Sequence, residues 1–164
     1  MNSQKNEMEI SFDAVSENES FARVAVAAFV THINPTLEEI DDVKTAVSEA
    51  VTNAIIHGYE NFRSRGRESG AEDEENCGKV RVHCSLEGDV LHIEVSDQGK
   101  GIEDLEKAME PLFTTRPDLD RSGMGFAFME AFMDDLEVES EPDHGTTVRM
   151  TKKLGCSSWI DCEE

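Results

Sequence analysis

An α/β (α+β) fold is predicted: a two-layer sandwich in which helices cover one face of a mixed, mostly antiparallel sheet. Three observations predict it. Stretches of alternating polar and apolar residues at 79–97 and 136–154 each fold back at a short turn, the signature of hairpins. A further alternating stretch stands alone at 7–13. Between them lie segments whose apolar residues recur at helical spacing. At 164 residues the chain suits one domain, assigned to 1–154 and followed by a tail at 155–164.

EMEISFD, residues 7–13, alternates and reads as the first strand. Ser16 with Glu19 three residues later has the pattern of a capping box, so a helix is expected from there to about residue 33. Asn34-Pro35 breaks it. Thr36 and Glu39 repeat the capping pattern. Leu37, Ile40, Val43, Val47, Ala50, Val51, Ala54 and Ile55 then keep a helical period, and Gly58 ends it. Residues 60–78 carry charge and glycine almost without apolar side chains, so they read as a long surface loop. The acidic part of that loop lacks the alternating ligands of a calcium site.

KVRVHCSLEGDVLHIEVSD is the first hairpin, turning at Glu87-Gly88-Asp89. DQGKGI is a turn, IEDLEKAME a short helix, and PLFTTRPDLDRSGMG irregular. GFAFMEAFMDDL is an apolar helix that begins at a glycine pair. Met124, Phe126, Phe128, Met129, Phe132 and Met133 are assigned to the core rather than to a partner groove. LEVESEP and HGTTVRMTKKL form the second hairpin, and GCSSWIDCEE is a loosely ordered tail.

Composition narrows the function classes. A net charge of −21 repels nucleic acid and attracts basic protein partners. An anionic ligand would need local help from a metal ion, backbone N–H groups or a helix N-terminus. No run of apolar residues is long enough to span a membrane, and the N-terminus has no apolar signal core, so a cytoplasmic chain is expected. The four cysteines, Cys77, Cys84, Cys156 and Cys162, form no Cys-x-x-Cys pair and are expected as thiols. His83, Cys84, Cys77 and His92 fit no zinc spacing.

Three places could carry chemistry. In SEAVTNAIIHG, Glu49, Asn53 and His57 recur every four residues, so neighbours lie about 40° apart on one helix face. Asp97-Gln98-Gly99-Lys100-Gly101 ends a strand: its glycines permit a tight turn and close approach to a flat ligand, and Asp97 can accept from an exocyclic amine. Arg121-Ser122-Gly123-Met124-Gly125 opens a helix whose bare N–H groups and dipole suit phosphate. Neither a Walker-type phosphate loop nor a Rossmann fingerprint is present. Together the three places can surround one nucleotide. Asn53 would offer an oxygen to Mg²⁺ and Glu49 would act as a candidate base.

The E-x-x-x-N at 49–53, the D-x-G-x-G at 97–101 and the G-x-G at 123–125 resemble, in order and spacing, the three boxes of the ATPase superfamily shared by gyrase, Hsp90, histidine kinases and MutL. SENESFARV at 16–24, SEAVTNAIIHGY at 48–59, PLFTTRPDLDRSGMGF at 111–126 and HGTTV at 144–148 further resemble the sporulation anti-sigma-F family, over about residues 7–153. The resemblance implies a Bergerat-type ATPase fold and binding of ATP or ADP with Mg²⁺. It implies a serine protein kinase that phosphorylates an anti-anti-sigma factor, holds RNA polymerase sigma factor F and forms a homodimer. By motif position it makes Glu49 the catalytic base, Asn53 the magnesium ligand and Asp97 the adenine contact. Gly99, Gly101, Gly123, Met124 and Gly125 shape the pocket, and Thr146 lies near the base. Arg23 contacts the sigma factor and the competing substrate protein, and Thr114, Thr115, Arg116 and Arg121 cover the phosphates.

His57 either lines the edge of the site or helps close the helix. The loop at 60–78 is longer and more acidic than the family's connection, and the tail after Leu154 has no counterpart. Two other readings compete: a nucleotide-gated clamp without kinase activity, and a kinase of the sister stress-response sigma system. Glu49 argues against the clamp, which would need Asn53 and the glycines but not the base.

Overall fold

The computed structural model describes residues 5–59, 78–110 and 124–155. The expectations for residues 60–77, for Thr114, Thr115, Arg116, Arg121 and Gly123, and for the tail from 156 lie outside the described residues. Strand β1 (Lys5–Asp13) leads into α1 (Glu17–Val30), which tightens into a 3₁₀ turn at Thr31–Ile33. Asn34 ends that turn in the left-handed region, at φ 51°, and Pro35 follows. Helix α2 (Leu37–Asn53) comes next and continues as a π turn, Ala54–Gly58. Then follow β2 (Lys79–Glu87), β3 (Val90–Asp97), the short helix α3 (Leu105–Ala108), α4 (Gly125–Phe132), β4 (Asp135–Glu141) and β5 (Gly145–Lys153).

The five strands form one sheet in the order β1-β2-β3-β5-β4, antiparallel at every pairing. Register is set by the alternation. Ile10 faces Val82, Cys84 faces Ile93 and Val95 faces Val148, so one face carries a continuous apolar row. Val80, Val82, Cys84, Leu86, Leu91, Ile93, Val95, Val148 and Met150 on that face are buried under the helices. Helix α2 packs against both α1 and α4 and buries Val43, Ala46, Val47, Ala50 and Val51. The opposite face is charged. There Glu94 pairs with Arg81 at 3.5 Å and Arg149 at 3.0 Å, and Arg149 reaches Glu139 at 2.8 Å. Each of these side chains is solvated, which suits the open face of an antiparallel sheet.

Some local expectations hold and others change. The Thr36 capping box forms in full: Glu39 N–H donates to the Thr36 hydroxyl at 3.1 Å, and Thr36 N–H donates to the Glu39 carboxylate at 2.7 Å. The Ser16 box does not form. Ser16 is helical, at φ −60° and ψ −28°, with no side-chain cap. Glu19 is instead drawn across to α2, where it accepts the Ser48 hydroxyl, and lies 3.7 Å from Arg23. The apolar helix stops at Phe132, where Met133 turns extended at φ −104° and ψ 156° and Asp134 N–H donates to the Thr151 carbonyl; Lys152, only 12% exposed, donates to the Phe132 carbonyl at 2.7 Å and pairs with Asp42 at 3.2 Å. That lysine ties α4, β5 and α2 together. Met129 and Met133 are core residues as expected, whereas Phe128 and Phe132 are partly exposed and stack on each other at 6.1 Å.

Candidate functional site

Helix α2 presents Glu49 and Asn53 on the side facing α4. Gly125 opens α4 and leaves them room. A Cβ there would lie 3.1 Å from the Glu49 carboxylate, 3.1 Å from the Asn53 amide nitrogen and 3.3 Å from its oxygen. The structure thus brings a carboxylate, an amide and the N-terminus of an eight-residue helix to one point. The chemistry fits a magnesium ion. The Asn53 side-chain oxygen is a hard donor, and Mg²⁺ takes few protein ligands when phosphate and water supply the rest. Among the described residues no cluster of three His, Cys, Asp or Glu side chains could hold a metal by itself. Cys84 is interior, with burial pushing its thiol up to about 12, so it is inert.

Asp97 ends β3 and is 8% exposed. Its carboxylate accepts the Gly99 N–H at 2.9 Å and the backbone N–H of Thr146 on β5. Burial pushes its pKa up to about 6, against the lowering pull of those two backbone donors. The turn after it is pressed against the end of α2. Lys100 N–H donates to the Gly58 carbonyl at 2.9 Å, and a Cβ on Gly99 would collide with that carbonyl. Gly101 takes φ +69° where the chain passes the Glu141 carbonyl.

A cavity of about 580 Å³ opens between these elements, a size suited to a small ligand. Asn53, His57, Asp97, Gly101, Gly125 and Thr146 line it, with Ile102, Pro142 and Val148 as apolar wall. His57 therefore stands at the cavity, one of the two places the sequence left open. Lys100 and Lys107 bring positive charge to a wall that also carries Glu103, Asp104 and Asp143. Arg23 lies elsewhere, on α1, where its Nε is buried without a hydrogen-bond partner among the described residues.

Two residues escaped the sequence reading. The Tyr59 hydroxyl donates to the Lys79 carbonyl at 2.5 Å and accepts the Gln98 N–H at 2.8 Å, which pins the Asp97 turn to the start of β2. Ser140 on β4 accepts the Ile102 N–H at 2.7 Å and lies 2.9 Å from the Thr146 hydroxyl. No local pattern marks either one: Tyr59 bonds 20 and 39 residues away, and Ser140 reaches Ile102 as well as Gly145 and Thr146 across its own hairpin. The only signal for Ser140 is a hydroxyl in a strand of otherwise acidic and apolar residues.

A family model described as the histidine kinase-like ATPase domain matches residues 12–152. The chain is 53% identical over 154 residues to the anti-sigma F factor of Bacillus subtilis (strain 168), covering 93% of this chain and 96% of that one. It is 59% identical over 150 residues to the anti-sigma F factor of Clostridium acetobutylicum, covering 92% and 95%. In fold it is similar to a solved structure of the RsbU and RsbW domains of Rv1364c from Mycobacterium tuberculosis, at TM-score 0.60 and 23% identity. That match spans 91% of this chain and 32% of the other. The catalytic domain of histidine kinase ThkA is similar at TM-score 0.50 and 14% identity, spanning 90% and 96%.

Proposed function

Because this chain belongs to the histidine kinase-like ATPase family, and within it to the anti-sigma F factors, we propose that it holds sigma factor F and uses Mg·ATP to phosphorylate a serine of its anti-anti-sigma factor. The observation that carries the kinase reading is the convergence of Glu49 and Asn53 on Gly125 beside the cavity that Asp97 lines. A clamp that only bound nucleotide would have no use for a carboxylate there.

In this reading Asp97 accepts from the adenine amine and the phosphates lie toward the start of α4. Asn53 takes the magnesium ion, which when bound offsets charge on the β- and γ-phosphates. Glu49 accepts the proton of the substrate serine as its oxygen attacks the γ-phosphorus. The bond from that phosphorus to the β–γ bridging oxygen breaks, and ADP leaves. Thr114, Thr115, Arg116 and Arg121 cover the phosphates. Arg23 docks the sigma factor and the substrate protein in turn, and the protein acts in the cytoplasm as a homodimer. No helix among the described residues is long and apolar enough to cross a membrane.

The test is incubation with labelled Mg·ATP and the anti-anti-sigma protein of the same genome, with Glu49→Ala alongside. Label should appear on a serine of the partner. The variant should bind ATP but transfer phosphoryl about 10²- to 10⁴-fold more slowly, the usual contribution of a general base. Near-normal transfer by Glu49→Ala would exclude it as the base. Tight ATP binding without any label would favour the clamp.

A further inference from the structure

Only one proton arrangement makes all three contacts of the Ser140 hydroxyl hydrogen bonds. Ile102 N–H donates to Ser140 Oγ at 2.7 Å. The Gly145 carbonyl, 3.1 Å away, can only accept, so Ser140 spends its single hydrogen there. The remaining neighbour is the Thr146 hydroxyl at 2.9 Å. For that contact also to be a hydrogen bond, Thr146 must donate and Ser140 accept. The Thr146 hydrogen is then committed away from the cavity that Thr146 lines, and only lone pairs remain to face it. The Thr146 backbone N–H is committed as well, to Asp97. Asp97, whose two contacts here are both accepted N–H groups, is an acceptor beside it.

We infer that Ser140 is a specificity-determining positioning residue: by holding the Thr146 hydrogen, it makes the base-reading edge of the cavity present acceptors alone. Such an edge suits a 6-aminopurine, whose exocyclic amine supplies two hydrogens, met directly or through a water. It rejects a 6-oxopurine, whose oxygen would face a carboxylate and a hydroxyl that cannot turn to donate. Without Ser140 the Thr146 hydroxyl is free to rotate and donate, and the rejection weakens. The inference rests on the reading of Asp97 as the base contact.

ATP and inosine triphosphate differ at this edge, so they are the probes. Calorimetric titration of the full chain with each nucleotide and Mg²⁺ gives the ratio of the two affinities. Wild type should prefer ATP. In Ser140→Ala that preference should fall about five- to tenfold, the worth of one directed hydrogen bond. Ser140→Thr, which keeps the hydroxyl, should retain it. Thr146→Val should lower the ratio to a similar extent, and the double variant should lower it no further. If Ser140→Ala weakens both nucleotides by one factor, Ser140 merely supports the turn and the inference is overturned. The same follows if Ser140→Thr loses the preference too. A wild-type protein that binds the two nucleotides alike, or neither, fails earlier: it removes the Asp97 reading on which this one stands.

Discussion

Burial lifts the Asp97 carboxyl to about 6, inside the range where small changes of pH change its charge. Two opposite dependences follow. Its folded-state value lies above the ordinary 3.8, so the protonated form stabilises the fold. That contribution is complete below about 3.8 and is lost as pH rises through about 6. Recognition of an amine runs the other way, since only the ionised carboxyl is purely an acceptor. Nucleotide affinity should therefore weaken as pH falls from about 7.5 to about 5.5, spanning that titration. Titration calorimetry at fixed free Mg²⁺ would measure it, and a flat profile would count against Asp97 as the base contact. Gly125 works by different physics at the same scale: even a methyl group there meets Glu49 and Asn53 at about van der Waals limits or closer.

The two long helices carry the same capping pattern in sequence and use it differently. Thr36 and Glu39 close on each other, so Thr36→Ala should lower stability by about 1 kcal/mol. Ser16 makes no cap bond, so Ser16→Ala should change stability by less than about 0.5 kcal/mol. Paired urea denaturation curves measure both, and equal losses would mean that Ser16 caps its helix in solution. The contrast shows what is legible in a sequence. Order, hairpins, helix starts and the placing of Glu49, Asn53 and Asp97 depend on neighbours within a few residues, and those were readable. Glu19 is captured by Ser48, 29 residues away, so its local pattern misled. Nothing in AIIHG announces a π turn, yet that turn delivers the Gly58 carbonyl to Lys100 N–H. Tyr59 and Ser140 also depend on distant partners, Gln98 and Ile102, 39 and 38 residues off.

At the scale of the molecule, a net charge of −21 sits on a fold that confines its cations to particular jobs. Arg149 and Arg81 tie the open face of the sheet across strands, where solvated pairs add little to stability. Lys152 fastens α4 from beneath, and Lys100 and Lys107 stand at the cavity. What holds the cavity together is the pairing of β3 with β5, since Asp97 ends one strand and Thr146 begins the other. Everything from Gln98 to Gly145 must be looped out before those two residues meet. Closing a loop of that span costs chain entropy before its contacts repay it, so this pairing is expected late along the folding route. A nucleotide then has nothing to grip while the chain is still crossing its barrier. In stopped-flow kinetics, saturating Mg·ATP should slow unfolding by its full stabilising effect and leave the refolding rate unchanged. A refolding limb accelerated by ATP would place the cavity in the folding nucleus instead. On that expectation the ligand acts as a brake on opening: it governs how long each folded molecule lasts, and has no part in how quickly a new one is made.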